Sequence, residues 1–298
     1  MRDQDIAAAG LIVVIWGTSF VVMKLVLQNF TPFQLGAARY LFGMIPLILV
    51  VRPPRLHWKW VVLFGLFQGL FQFGCVFFSL RFGMTAALTS VLLQSQVFFT
   101  ALFSAVFLNE RPSRRLWSGM VFAALALGCF VFNYAVPQAD LAATGTVIGF
   151  SLCLGAAAMW AISNIIVKMA QKESPDFDSL SFIVWCSTVP IVPFVLLSLL
   201  LDPPAMRWRW LEAPWQAWAA AAYLGWSGMV VGNNLWTALV KRYGANRIAP
   251  FSLGIPVVGL MSGMLLLDEG VTYWQWAGIG MIVIALLCVL WPTQHARS

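Results

Sequence analysis

The chain has 298 residues, 61% of them hydrophobic and only 10% charged, with a net charge of +7. Soluble globular domains carry about 25% charged residues, so this composition excludes a soluble fold and requires lipid as solvent. The positive charge is scattered over short connections, which makes it a topology signal and excludes nucleic acid as the expected partner.

A helix needs about 20 mostly apolar residues to cross the hydrocarbon core. Ten stretches meet that length: 6–27, 33–51, 59–80, 86–108, 116–136, 145–167, 178–201, 215–240, 248–267 and 273–291. Their continuity predicts helices, because barrel strands would be about half as long and would alternate in polarity. The first run follows Arg2 but is too long for a leader, carries Asp3 and Asp5 at its front and lacks a small-residue cleavage site, so it is expected to remain as a span.

That span holds Trp16, Ser19 and Met23, and the second holds Arg39 about two turns inside, where an ionised group needs a partner. In the third, Gln68, Gln72, Cys75 and Ser79 recur at spacings of four, three and four, which predicts one inward-looking helical face. The fourth brings Ser90 and Gln94 to one side with Gln96 turned away. The sixth adds Trp160, Ser163 and Asn164, the eighth Asn233, Asn234, Trp236 and Thr237, and the ninth Ser252 and Pro256. Together these outline a central cavity of amide, hydroxyl and aromatic groups that suits a small molecule such as an amino acid. The competing reading is that the Ser, Gln and Asn side chains only bond across helix interfaces, each contributing about 0.6 kcal/mol.

The spans also repeat. Trp16–Lys24 returns as Trp160–Lys168, and Phe33 and Pro46 return as Phe177 and Pro190, all at an offset of 144. Later the offset grows: Arg81-Phe-Gly83 matches Arg242-Tyr-Gly244 at 161, with Gln72 and Phe73 opposite Asn233 and Asn234. Leu108-Asn-Glu110 matches Leu267-Asp-Glu269 at 159, as Trp117-Ser-Gly119 matches Trp276-Ala-Gly278. The longer 202–214 connection accounts for the growth. Two halves, 1–136 and 137–298, then hold five spans each, and an odd number forces the second to enter the membrane from the opposite side. With the N-terminus inside, thirteen Lys and Arg residues fall on the cytoplasmic side and four on the other, so both termini are expected in the cytoplasm.

Most of the 15 tryptophans sit near span ends as interface anchors, while Trp16, Trp160, Trp185 and Trp236 lie deeper. Lys24 and Lys168 are expected to snorkel to the headgroups. The repeat partner of Arg39 is the uncharged Ile183, which favours a local structural role for the arginine. Glu110 and Glu269 each precede a helix by a few residues and are expected to cap it. Pro46, Pro190, Pro193 and Pro256 interrupt helices, and Gly259 and Gly263 suit close helix contact.

All eleven acidic residues fall in connections or at helix ends, so none is expected mid-span to bind a coupling proton or cation. The chain has no phosphate-binding loop spacing, and no nucleophile–base or paired-carboxylate constellation at membrane depth, so no enzyme activity is expected. The five cysteines and two histidines show no metal-ligand spacing, and neither metal nor other cofactor is expected.

The Trp-Gly-x-Ser pattern of the first span, the Leu-x-Glu at the ends of the fourth and ninth, and the ten-span layout resemble the drug/metabolite transporter superfamily with its paired EamA-type domains. Within it the chain is most similar to the YddG-type exporters. The resemblance implies an all-α membrane protein of ten transmembrane helices in two inverted five-helix repeats around a central cavity. It implies alternating-access export or facilitated diffusion of aromatic and other neutral amino acids and related metabolites across a bacterial inner membrane. The expected partners are the lipid bilayer and a small-molecule substrate. Alternatives are transport of nucleosides or sugar phosphates, or a non-transporting receptor or scaffold.

Overall fold

The computed structural model describes residues 1–108, 114–135, 143–243, 248, 251–252 and 254–290, with the side chains of a few of these, Thr237 among them, outside that description. Among the described residues the backbone is helical almost throughout and contains no strand.

Helix α1, Asp3–Val26, starts with two carboxylates and ends near Lys24, each favoured by the helix dipole. Helix α2, Pro32–Met44, begins with a capping box: Thr31 Oγ1 accepts from the Gln34 amide and Gln34 Oε1 from the Thr31 amide, with Pro32 in the first turn. Its α-helical part stops earlier than the apolar run suggests, because Pro46 has no amide to donate, and the run continues as a 3-10 turn at Leu47–Leu49. Helix α3, Trp58–Arg81, contains a π-helical stretch at Gly65–Gln72. Helix α4, Ala86–Leu108, tightens into a 3-10 turn at Leu93–Ser95.

Helices α5, Arg114–Ala135, and α6, Ala143–Glu173, follow. The latter runs six residues past its apolar segment, as its charged end contacts the start of α3. Helix α7 comes in two pieces, Ser179–Cys186 and Ile191–Leu201, parted by a turn ending at Pro190. Helix α8, 215–243, again contains a π-helical stretch, Leu224–Val231. Helices α9, Gly254–Leu267, and α10, Tyr273–Leu290, complete the described chain.

Five of these stretches are long and apolar enough to cross a membrane: Asp3–Val26, Trp58–Arg81, Ala86–Leu108, Val147–Glu173 and Ser179–Leu201. Trp117–Cys129, Gly254–Leu267 and Tyr273–Cys288 are shorter apolar helices. Outer faces expose Val121, Leu125, Val192, Leu196, Met261 and Leu265, as lipid contact permits. Inside, α1 packs on α9 and the first half of α4, α6 on α3 and the second half of α4, and α2 on α7 and α8. The main core joins Leu35, Phe77, Met84, Leu92, Phe194 and Leu224, and a second cluster around Trp60, Phe64, Ile166 and Phe182 ties the start of α3 to α6 and α7.

Charged residues bind the helix ends together. Asp5 receives Arg2 and Arg242 at 2.9 Å each and the Tyr243 hydroxyl at 2.6 Å, fixing the start of α1 to the end of α8. At the other end of α1, Lys24 Nζ lies 2.7 Å from Glu269. Glu269 does not cap the helix that follows it. Its carboxylate accepts from the Ala86 and Ala87 amides, at 2.8 and 2.9 Å, and so caps α4. Lys24 is thereby held in an ion pair rather than left to snorkel, because the fold brings a buried carboxylate to it. Glu110 lies outside the described residues.

Candidate functional site

The inward groups fall into two sets. The first lies where α1 meets α2, α3 and α8. Trp16 Nε1 donates to the Gly228 carbonyl at 2.8 Å, and the Trp16 ring stands 5.6 Å from Trp236 at an interplanar angle of 44°. This carbonyl belongs to the π-helical stretch of α8, where i→i+5 bonding leaves carbonyls open to other donors. Ser19 and Met23 follow Trp16 along α1 and both are buried, with the Ser19 hydroxyl donating to the Ile15 carbonyl of its own helix at 2.6 Å. Met23 Sδ receives Arg39 Nη1 at 3.9 Å, and the Phe73 ring centroid lies 3.8 Å from Arg39 Cζ. Among the described residues no carboxylate pairs with Arg39. An aromatic face and a thioether replace it.

The second set lies between α3, α4 and α6. Gln68 Oε1 accepts from the Ser163 hydroxyl, which also reaches the Trp160 carbonyl. Asn164 Nδ2 donates to Gln96 Oε1 at 2.9 Å and Thr100 Oγ1 at 3.1 Å, and one turn on, Lys168 Nζ donates to Ser104 Oγ at 3.2 Å. Gln96, Thr100 and Ser104 thus form a polar stripe at spacings of four, facing Asn164 and Lys168. The stripe ends at a cavity of about 770 Å³ lined by Trp60, Phe107, Leu108, Lys168, Lys172 and Glu173. Between the two sets, Gln72 and Ser79 are buried and Cys75 half-buried. Gln72 Oε1 has no hydrogen-bond partner among the described residues.

Several sequence-based expectations need correction. Gln96 does point away from Ser90 and Gln94, which meet Gly259 and Ser252, but it turns toward Asn164 of α6 rather than out of the bundle. Asn233 donates to the Met229 carbonyl of its own helix at 2.6 Å, and Asn234 is exposed, so this pair does not mirror the buried Gln72. Ser90 donates to the Ala87 carbonyl and packs on Gly259, a tight helix contact. Gln94 reaches the Ser252 carbonyl at 3.2 Å, and Pro256 is buried within α9. Thr237 has no described side chain. The Trp185 indole donates to the Val51 carbonyl and meets Trp58 edge-on.

Thr100 and Ser104 were legible in the four-residue spacing of Gln96, Thr100 and Ser104; Phe73 stands out in the sequence only as the repeat partner of Asn234, and Gly228 carries no signal.

Comparison with known proteins agrees with this architecture. The model of the EamA-like transporter family matches residues 6–132 and again 147–291. The chain is 34% identical over 287 residues to a protein of Escherichia coli K12 named "Probable amino-acid metabolite efflux pump", covering 96% of this chain and 94% of that one. It is 35% identical, over the same shares, to a protein of Salmonella typhimurium with the same name. A solved crystal structure, 15% identical and matched over 97% of each chain, has a TM-score of 0.63, a likeness of fold alone. This is an integral membrane protein, and the chain belongs to the EamA-like transporter family.

Proposed function

We propose that the protein exports neutral amino acids and related metabolites, or equilibrates them, across a bacterial inner membrane by alternating access. In this reading ten helices form two inverted five-helix halves, 1–136 and 137–298, with both termini in the cytoplasm. The substrate contacts Trp16, Ser19, Met23, Gln68, Gln72, Cys75, Ser79, Trp160, Ser163, Asn164 and Trp236 on its way through.

The observation that carries the proposal is Gln72: an amide 2% exposed on a helix in lipid, its oxygen without a partner. A polar atom left unpaired at such depth costs free energy, and a polar ligand that visits it would offset that cost. The names of the two bacterial relatives supply the substrate class. The polar stripe on α4 and α6 adds a hydrogen-bonding route from this region to the cavity at Lys168. Purified protein in proteoliposomes should release labelled amino acids faster than empty vesicles do. Equal release for every amino acid tried would remove the substrate assignment. Cysteines placed at 72 and 96 should react with water-soluble reagents during turnover, and complete protection from both sides would exclude the route.

A further inference from the structure

Arg39 is 5% exposed and seven residues into α2, about 10 Å of helix rise from its start. Its partners are weak for an ionised group at that depth. Nη1 meets only the Met23 thioether, Phe73 covers one face of the guanidinium, and Nε has no hydrogen-bond partner among the described residues. The neighbouring position on α8 is Gly228, where a Cβ would stand 4.0 Å from Arg39 Nη2 and 3.5 Å from Ser19 Oγ. Nε and Nη2 form the side-on edge of a guanidinium, the fork that matches both oxygens of a carboxylate. Here Nε is unpartnered and Nη2 looks toward a residue with no side chain.

We infer that Arg39 receives the carboxylate of the transported molecule, so that the substrate carries a single carboxylate rather than a phosphate ester. This rests on the transport reading above and narrows it. The Phe73 ring holds the guanidinium plane by a cation–π contact while leaving its edge free. The Met23 thioether is a weak acceptor on a flexible chain and is readily displaced by a carboxylate. One guanidinium neutralises one negative charge, and Lys24 on α1 is already engaged with Glu269. Among the described residues no second cation contacts Arg39 to meet the greater charge of a phosphate ester.

The test is binding by purified protein of L-phenylalanine, L-phenylalaninamide and phenylacetate, measured by calorimetry on wild type, Arg39→Lys and Arg39→Gln. Wild type should bind the amino acid at least tenfold more tightly than its amide. Arg39→Gln should lose that preference, and Arg39→Lys should keep part of it, since charge remains but the fork is gone. A purely structural arginine would lower the melting temperature without changing the acid-to-amide ratio. Equal binding of acid and amide by wild type, or an unchanged ratio in both variants, overturns the inference. Binding of phenylacetate that depends on Arg39, with no binding of phenylalanine, keeps the carboxylate site and refutes the amino-acid reading. If Arg39→Gln does not fold, the wild-type ratio and Arg39→Lys decide.

Discussion

Gln72 and Gly228 separate the demands of stability from those of transport. Replacing a buried amide that lacks a partner with leucine removes an unsatisfied oxygen, so Gln72→Leu should keep the melting temperature or raise stability by about 1 kcal/mol. Transport should nevertheless fall at least tenfold in proteoliposomes, and retained flux would show that the amide never meets the substrate. At Gly228 an alanine makes only ordinary contacts with Ser19 and Arg39, whereas a leucine fills the space between them. Gly228→Ala should transport and Gly228→Leu should not, with both reaching the membrane in similar amounts on a blot. The inward face at Gln68, Gln72, Cys75 and Ser79 is readable from spacing alone, because none of the four lies on the exposed side of α3. The surroundings of Arg39 are not readable, since Met23, Phe73 and Gly228 come from three other helices and share no local pattern with it.

Helices meet here at points where side chains leave almost no room. A Cβ on Gly225 would stand 2.6 Å from the Arg39 carbonyl oxygen and 2.8 Å from the Gly43 amide, so α2 and α8 touch backbone to backbone. Gly259 lies directly against Ser90, whose Cβ cannot swing aside. Gly259→Val should therefore force α4 from α9 and cost about 1–3 kcal/mol, seen as a lower melting temperature in detergent. Gly280, with nothing near it, should tolerate the same change. Apolar length shows the helices clearly. It does not show the π-helical stretches in α3 and α8, because those depend on which carbonyls find partners on other helices, as the Gly228 carbonyl does with Trp16.

At the scale of the molecule, α1 is fastened at both ends, by Asp5 to α8 and by Lys24 to the turn before α10. The two attachments differ in exposure. Arg242 is half-exposed, whereas Glu269 is 8% exposed and also holds two backbone amides. Removing the buried carboxylate would leave the Ala86 and Ala87 amides bare, and each buried group left without its partner costs about 1–3 kcal/mol. Glu269→Ala should thus destabilise strongly in thermal unfolding, and Lys24→Met less, since the amides of Ala86 and Ala87 still satisfy the carboxylate. A sequence scan reaches Lys24 and Glu269 separately through the repeat but not their meeting, since 245 positions divide them.

The capping of α4 by Glu269 has a consequence for how the gene can be cut. The amides at the start of a helix in the first half find their acceptor on a residue 183 positions later, in the second. Residues 1–136 expressed alone would begin α4 with those amides bare in a nonpolar setting, while co-expression with 137–298 would supply the missing carboxylate. Two such fragments should be proteolysed singly and survive together, as subunits of an obligate heterodimer that the natural chain happens to tether.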